Sequence, residues 1–157
     1  MDILNQVIDF TSQHIRESVP DKYVFHDLQH TESVVQASIE IGVQMDCSPA
    51  ELEILEIAAW FHDIGYADGA QGHEQRGAAI AKIFLEERAY PPEKIIQIER
   101  CILSTKMPQN PHSKLECILC DADLSHLGQK TYWERSSLLR QEFTVIKQEI
   151  LNEKHVP

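Results

Sequence analysis

Apolar side chains recur every three or four residues along most of the chain, the spacing that places them on one face of an α-helix. In the N-terminal segment, for example, Ile3, Val7 and Phe10 share a face. No stretch shows the every-second-residue alternation of a half-buried strand, and no repeat, low-complexity tract or long linker divides the chain. We therefore predict an all-α protein, a single compact domain over residues 1–157 with about six or seven helices.

Start and stop signals give these helices approximate bounds. A serine cap at Ser48, a proline in the first turn and Glu51 three residues after the serine mark one helix start. Ser113 and Glu116 form a second capping box, without a proline, and Gly128 would suit a break after the helix that they open. The predicted helices cover about residues 2–18, 27–45, 48–62, 73–89, 92–102, 113–127 and 131–152.

Two of the predicted helices carry apolar faces that we expect to pack inward. In the fourth helix this face consists of Ala78, Ile80, Ala81, Phe84 and Leu85. In the last helix it consists of Leu138, Phe143, Ile146 and Ile150.

The formal net charge of −11 argues against partners such as nucleic acid or an anionic membrane surface. An anionic substrate stays compatible with this charge, provided that metal ions supply local positive charge. No apolar run is long enough to span a bilayer and the N-terminal residues do not resemble a signal peptide, so we expect a cytoplasmic protein with reduced cysteines. Cys117 and Cys120 form a lone C-x-x-C, which we interpret as buried thiols because a zinc site needs four ligands. The oligomeric state stays open, with a homodimer as one option.

The third predicted helix ends in the adjacent pair His62 and Asp63. Neighbouring residues on a helix point about 100° apart, so two of them can share a ligand only where the helix ends and the backbone loosens. Gly65 follows almost at once and would supply that freedom. Because ionisable groups at the edge of a core are costly without a partner, a divalent cation would stabilise this pair.

Three further places concentrate residues of the type that bind metals. His26 and His30 lie four residues apart, so a helix would place both on one face. His73 opens the helix after a glycine-containing loop, and Asp121 and Asp123 follow an apolar stretch. Each also has an ordinary interpretation as a helix cap or a solvated side chain. In combination, imidazoles and carboxylates form the ligand set for ions such as Zn²⁺, Mn²⁺, Fe²⁺ or Mg²⁺.

The order His30, then His62-Asp63, then Asp123 resembles the H…HD…D signature of the HD-domain superfamily of metal-dependent phosphohydrolases. The resemblance extends over about residues 23–128, and the helix at about 131–152 follows it. It implies a helical bundle of the HD-domain type, similar to that of the cyclic-nucleotide phosphodiesterases.

Two other segments add to this resemblance. Residues 23–31 are similar to the first motif of the cyclic-nucleotide phosphodiesterases, and residues 73–78 are similar to a segment of many small bacterial members. By contrast, the sequence Gly65-Tyr66-Ala67 differs from the GYP motif of the cyclic-di-GMP phosphodiesterases.

The resemblance implies a ligand set for the metal. One divalent ion (Mn, Zn, Fe, Mg, Ni or Co) would be held by His30, His62, Asp63 and Asp123. Asp121 is the alternative to Asp123. A second ion, with Asp63 as the bridge and His73 as a ligand, stays open because Ser104-Thr105-Lys106 stands where two-metal members often carry a further histidine.

The resemblance also implies catalytic roles. His26 would protonate the leaving oxygen, Asp63 would act through the metal, and Lys106 would contact the phosphate. We therefore expect an enzyme, a phosphomonoesterase or phosphodiesterase that hydrolyses a nucleotide or another small phosphoester through a metal-activated water. The alternatives are an iron oxygenase of the HD type and a non-catalytic metal-binding module used in sensing or scaffolding.

Overall fold

The computed structural model describes residues 1–23, 26–125 and 132–154. Within these ranges the chain forms seven α-helices and one 3-10 helix and contains no strand, so the all-α prediction is confirmed. The helices are α1 (Ile3–Ser18), α2 (Leu28–Gln44), α3 (Pro49–Phe61), α4 (His73–Glu86), α5 (Pro92–Ser104), α6 (Lys114–Asp123) and α7 (Tyr132–Lys154), with the 3-10 helix at Ile64–Asp68 between α3 and α4. Among these helices, none is both long enough and apolar enough to cross a lipid bilayer.

Side chains cap the N-termini of three helices that shape the site. The Asp27 carboxylate accepts the His30 N–H at 2.9 Å and begins α2. Ser48 and Glu51 form the capping box that the sequence predicts for α3. Ser113 accepts a backbone N–H in the first turn of α6. Because caps of this kind satisfy otherwise unpaired N–H groups, local sequence determines where these helices begin.

Helix α3 lies at the centre of the helices, and α1, α2, α4, α5 and α6 all pack against it. Its C-terminal half is buried on every side, from Ile54 to Phe61 with the exception of Glu56. A helix that is apolar all round is buried in this way. The polar residues that follow its end are therefore held in the protein interior.

Two helices end earlier than the sequence predicts. Helix α4 ends at Glu86, and Ala89 adopts a left-handed backbone conformation with φ 53° while the Tyr90 N–H donates to the Leu85 carbonyl at 3.1 Å. This is the arrangement in which a left-handed residue closes a helix. Helix α6 ends at Asp123, and the predicted break at Gly128 lies outside the described residues.

The inward face of α7 differs from the prediction. Phe143 is 57% exposed, whereas its neighbour Glu142 is completely buried. Glu142 lies four residues after Leu138 and four before Ile146, both partly buried, so these three share a face of the helix. Phe143, the next residue, lies on a different face of the helix. The buried position is occupied by the Glu142 carboxylate, which is hydrogen-bonded as described below.

The C-x-x-C pair is not buried as a unit. Cys120 is buried and its Sγ donates to the Ser104 carbonyl at 3.3 Å, whereas Cys117 is exposed. The prediction of buried thiols is therefore right for Cys120 and wrong for Cys117, since α6 packs with Leu115, Ile118, Leu119 and Ala122 inward.

Candidate metal centre

Four ligand-type side chains converge from three separate helix ends. His30 lies in the first turn of α2, His62 and Asp63 directly follow α3, and Asp123 is the last residue of α6. His62 keeps helical backbone angles, whereas Asp63 has φ −112° and ψ 6° and leaves the helix. The change of backbone direction at Asp63 lets two adjacent residues face one point.

The ligand atoms of these four residues all lie within 4.8 Å of one another. His30 Nε2 is 3.1 Å from Asp123 Oδ1 and 3.3 Å from Asp63 Oδ2. His62 Nε2 is 2.9 Å from Asp63 Oδ2 and 3.3 Å from Asp123 Oδ1. Two imidazole nitrogens and two carboxylate oxygens therefore surround one point, as the ligands of a divalent ion do.

The orientation of the buried atoms fits a cation. His62 Nε2 and Asp63 Oδ2 are only 2.9 Å apart, yet among the described residues neither has a hydrogen-bond partner. Buried polar atoms without hydrogen-bond partners are rare in proteins, and a bound cation would account for these two. His62 Nδ1 donates to the Ala59 carbonyl at 2.6 Å, which leaves the Nε2 lone pair directed at the centre.

The charges of the cluster depend on one another. Burial alone would lower the pKa of His62, but the carboxylates of Asp63 and Asp123 outweigh it and hold this pKa well above its usual value. Burial would raise the pKa of Asp63, but the nearby imidazoles of His62, His26 and His30 hold it well below its usual value. The cluster thus favours ionised carboxylates beside positive charge, which either protons or a divalent ion can supply.

His73 faces the other oxygen of Asp63. Its Nε2 lies 3.3 Å from Asp63 Oδ1, and its Nδ1 donates to the Ala70 carbonyl at 2.8 Å. The position of His73 depends on close packing, because a Cβ on Gly65 would lie 2.0 Å from the His73 carbonyl oxygen. Gly65 is therefore needed for this close approach and not, as the sequence suggests, for freedom at the end of α3.

Arg76 holds the connection between Asp63 and His73. Its guanidinium donates to the carbonyls of Gly65 at 3.1 and 3.2 Å and of Gln71 at 2.6 Å, and also to the carbonyl of Gly69. Arg76 lies in the segment of residues 73–78 that resembles small bacterial members, but its role could not be inferred from the sequence. One arginine that binds three carbonyls fixes the shape of the connection.

His26 lies at the edge of the four-residue cluster. Its Nε2 is 3.9 Å from Asp63 Oδ2, and its ring stacks on Tyr66 at 4.3 Å between centroids and 15° between planes. The His26 side chain is 13% exposed, so it lies nearer the protein surface than His62 and Asp63, which are 0% and 5% exposed.

Helix α7 supplies a residue that sequence reasoning missed. The buried Glu142 carboxylate accepts a hydrogen bond from His26 Nδ1 through Oε1, and from the His26 backbone N–H through Oε2 at 3.0 Å. Seven residues later, on the same face of the helix, Glu149 accepts from the Tyr23 hydroxyl at 2.8 Å and pairs with Lys22. In the sequence, Glu142 could have been noticed as an acidic residue within the apolar stripe of the last helix.

Two residues considered at the sequence level, Asp121 and Lys106, are not among the four clustered ligands. Asp121 is exposed, and the structure brings Asp123 to the centre. Lys106 is exposed too, and it lines a cavity of 360 Å³ together with Arg100 and His112. None of the four cluster residues lines that cavity, and Lys106 as a phosphate contact stays a prediction.

Gln109 is a second missed residue. Its Nε2 donates to Asp123 Oδ2 at 3.2 Å, which places the loop after α5 against the cluster. The only sequence signal was its position in the polar loop of residues 105–112.

Comparison with known proteins is consistent with this geometry. A family model described as "HD domain" matches residues 27–127, a range that includes all four cluster residues but neither His26 nor Glu142. No curated protein matches the sequence. The crystal structure of a predicted HD superfamily hydrolase from an uncultured Thermotogales bacterium is similar, with a TM-score of 0.66 and 21% identity over 95% of this chain and 91% of that chain. At this identity the likeness shows a shared fold.

Proposed function

Since the chain belongs to the HD domain family, we propose that it is a metal-dependent phosphohydrolase that acts on a nucleotide or another small phosphoester. The observation that supports this most directly is the cluster of His30, His62, Asp63 and Asp123, in which buried His62 Nε2 and Asp63 Oδ2 face a common point without hydrogen bonds. The structurally similar Thermotogales protein is itself described as a predicted hydrolase.

The chemistry of the ligand set suits phosphoester hydrolysis. A divalent ion held there lowers the pKa of a bound water and acts as a Lewis acid toward a phosphate oxygen. The protein as a whole has a formal net charge of −11, so positive charge at the centre is what would attract an anionic substrate. Asp63 and Asp123 would bind the ion through carboxylate oxygens, and His30 and His62 would complete the set with neutral nitrogens.

His26 is placed to move a proton. Its Nε2 points toward the cluster, 3.9 Å from Asp63 Oδ2, while Nδ1 is engaged by Glu142. A carboxylate on one ring nitrogen fixes the orientation of the ring and so directs the other nitrogen toward the cluster. In this proposal His26 protonates the leaving oxygen, and Tyr66 supports its ring from one face.

The test combines metal analysis with a panel of phosphomonoester and phosphodiester substrates. We expect Asp63→Ala and His62→Ala to lose both bound metal and hydrolysis, and His26→Ala to keep the metal but lose turnover. His112→Ala, an exposed histidine outside the cluster, is the matched control and should behave as the unmodified protein. Normal hydrolysis by Asp63→Ala would refute the proposal, as would oxygen consumption by an iron-loaded protein that hydrolyses no phosphoester.

A further inference from the structure

The two oxygens of Asp123 have different surroundings. Oδ1 faces the centre, 3.1 Å from His30 Nε2 and 3.3 Å from His62 Nε2. Oδ2 accepts a hydrogen bond from Gln109 Nε2 at 3.2 Å. One oxygen is therefore available to a metal while the other is occupied by an amide.

The direction of this hydrogen bond follows from charge. A carboxylate that binds a metal ion does so in its ionised form. An ionised carboxylate only accepts hydrogen bonds, so the amide nitrogen of Gln109 and not its oxygen must face Oδ2.

The loop that carries Gln109 is held in place near this contact. The Asn110 N–H donates to the carbonyl of Ser104 at 3.4 Å, at the end of α5. Pro108 and Pro111 stand on either side of the Gln109-Asn110 pair, and proline rings restrict the backbone angle φ. The amide thus reaches Asp123 from a constrained backbone, which reduces the entropy lost when the contact forms.

The geometry points to Gln109 as a positioning residue that holds Asp123 so that a single oxygen binds the ion, and so raises the affinity of the centre for a divalent cation. This inference rests on the metal centre of the proposed function but not on the identity of its substrate. Groups that orient metal ligands typically change metal affinity about 10–100-fold when they are removed. We therefore expect a loss of that size without the Gln109 amide.

The experiment is a titration of metal-free full-length protein with Mn²⁺, with free Mn²⁺ measured by electron paramagnetic resonance. Gln109→Met keeps the length of the side chain but removes the donor, and should weaken binding about 10–100-fold. Gln36→Ala, an exposed glutamine of α2, is the control and should bind as the unmodified protein does.

The Tm of the metal-free protein separates positioning from a packing role. A packing role alone predicts that Gln109→Met lowers the Tm of the metal-free protein, whereas a positioning role predicts weaker Mn²⁺ binding with an unchanged Tm. Unmodified affinity in Gln109→Met, or a loss of affinity accompanied by a lower Tm of the metal-free protein, would overturn the inference while leaving the proposed hydrolase intact. An unmodified protein that binds no Mn²⁺ or other divalent ion would overturn both.

Discussion

Replacing Glu142 by Gln tests whether the last helix takes part in catalysis. The carboxylate accepts two hydrogen bonds from His26, one from the ring and one from the backbone, and it is completely buried. A glutamine of the same size has one acceptor oxygen and an amide group that donates, so one of the two His26 donors loses its partner. A buried donor left unsatisfied costs about 1–3 kcal/mol, and more if the lost partner was charged.

This cost should fall on the attachment of α7 and not on the core. Among the described residues, the buried hydrophobic cluster draws on positions between Val7 and Ala122, and none of the α7 side chains described belongs to it. The hydrogen bond between Glu149 and Tyr23 does not involve Glu142 and should persist in the variant. We therefore expect Glu142→Gln to remain folded with a small change in Tm, while the His26 ring loses its fixed orientation.

The expected kinetic result is a fall in kcat of about 10²–10⁴-fold, the usual contribution of a positioned acid or base, with unchanged affinity for Mn²⁺. If Glu142 acts through His26, the double variant Glu142→Gln with His26→Ala should be no slower than His26→Ala alone. Glu153→Gln, an exposed acid on the same helix, is the matched control. Unchanged kcat in Glu142→Gln, or multiplied effects in the double variant, would show that the reasoning is wrong.

Three further results are expected. Gly65→Ala should destabilise the protein by about 1–3 kcal/mol or more and displace His73, because the new Cβ would lie 2.0 Å from a backbone oxygen; an unchanged midpoint of urea unfolding would contradict this. At pH 8 a thiol reagent should modify exposed Cys117 but not Cys101, since burial raises the pKa of Cys101 to about 12. Mass spectrometry of the labelled peptides measures this difference. Labelling of Cys101 in the folded protein would count against the packing of α5. Removing the metal with a chelator should lower Tm, because an ion present at 100 times its Kd stabilises the folded state by about 2.7 kcal/mol; the same Tm with and without Mn²⁺ in calorimetry would argue against a metal centre.

Much of the candidate site could be inferred from the sequence, including the four ligand residues of the cluster. The choice between the two aspartates of α6 follows from the helical repeat. Asp123 lies four residues after buried Leu119 and so shares its face, whereas Asp121 lies on the opposite side of the helix. The helical repeat therefore favours Asp123 over Asp121 as the ligand.

The sequence by itself determined the elements and their order. Apolar periodicity and the caps at Ser48 and Ser113 depend only on neighbouring residues, and so does the sharp end of α3 at the His62-Asp63 pair. The tertiary structure alone decided which distant groups meet. Glu142 reaches His26 across 116 positions and Gln109 reaches Asp123 from a loop, and no spacing rule predicts either contact. The reason is physical: a helix specifies its own faces through its repeat, but the neighbour that each face meets depends on how all the helices pack.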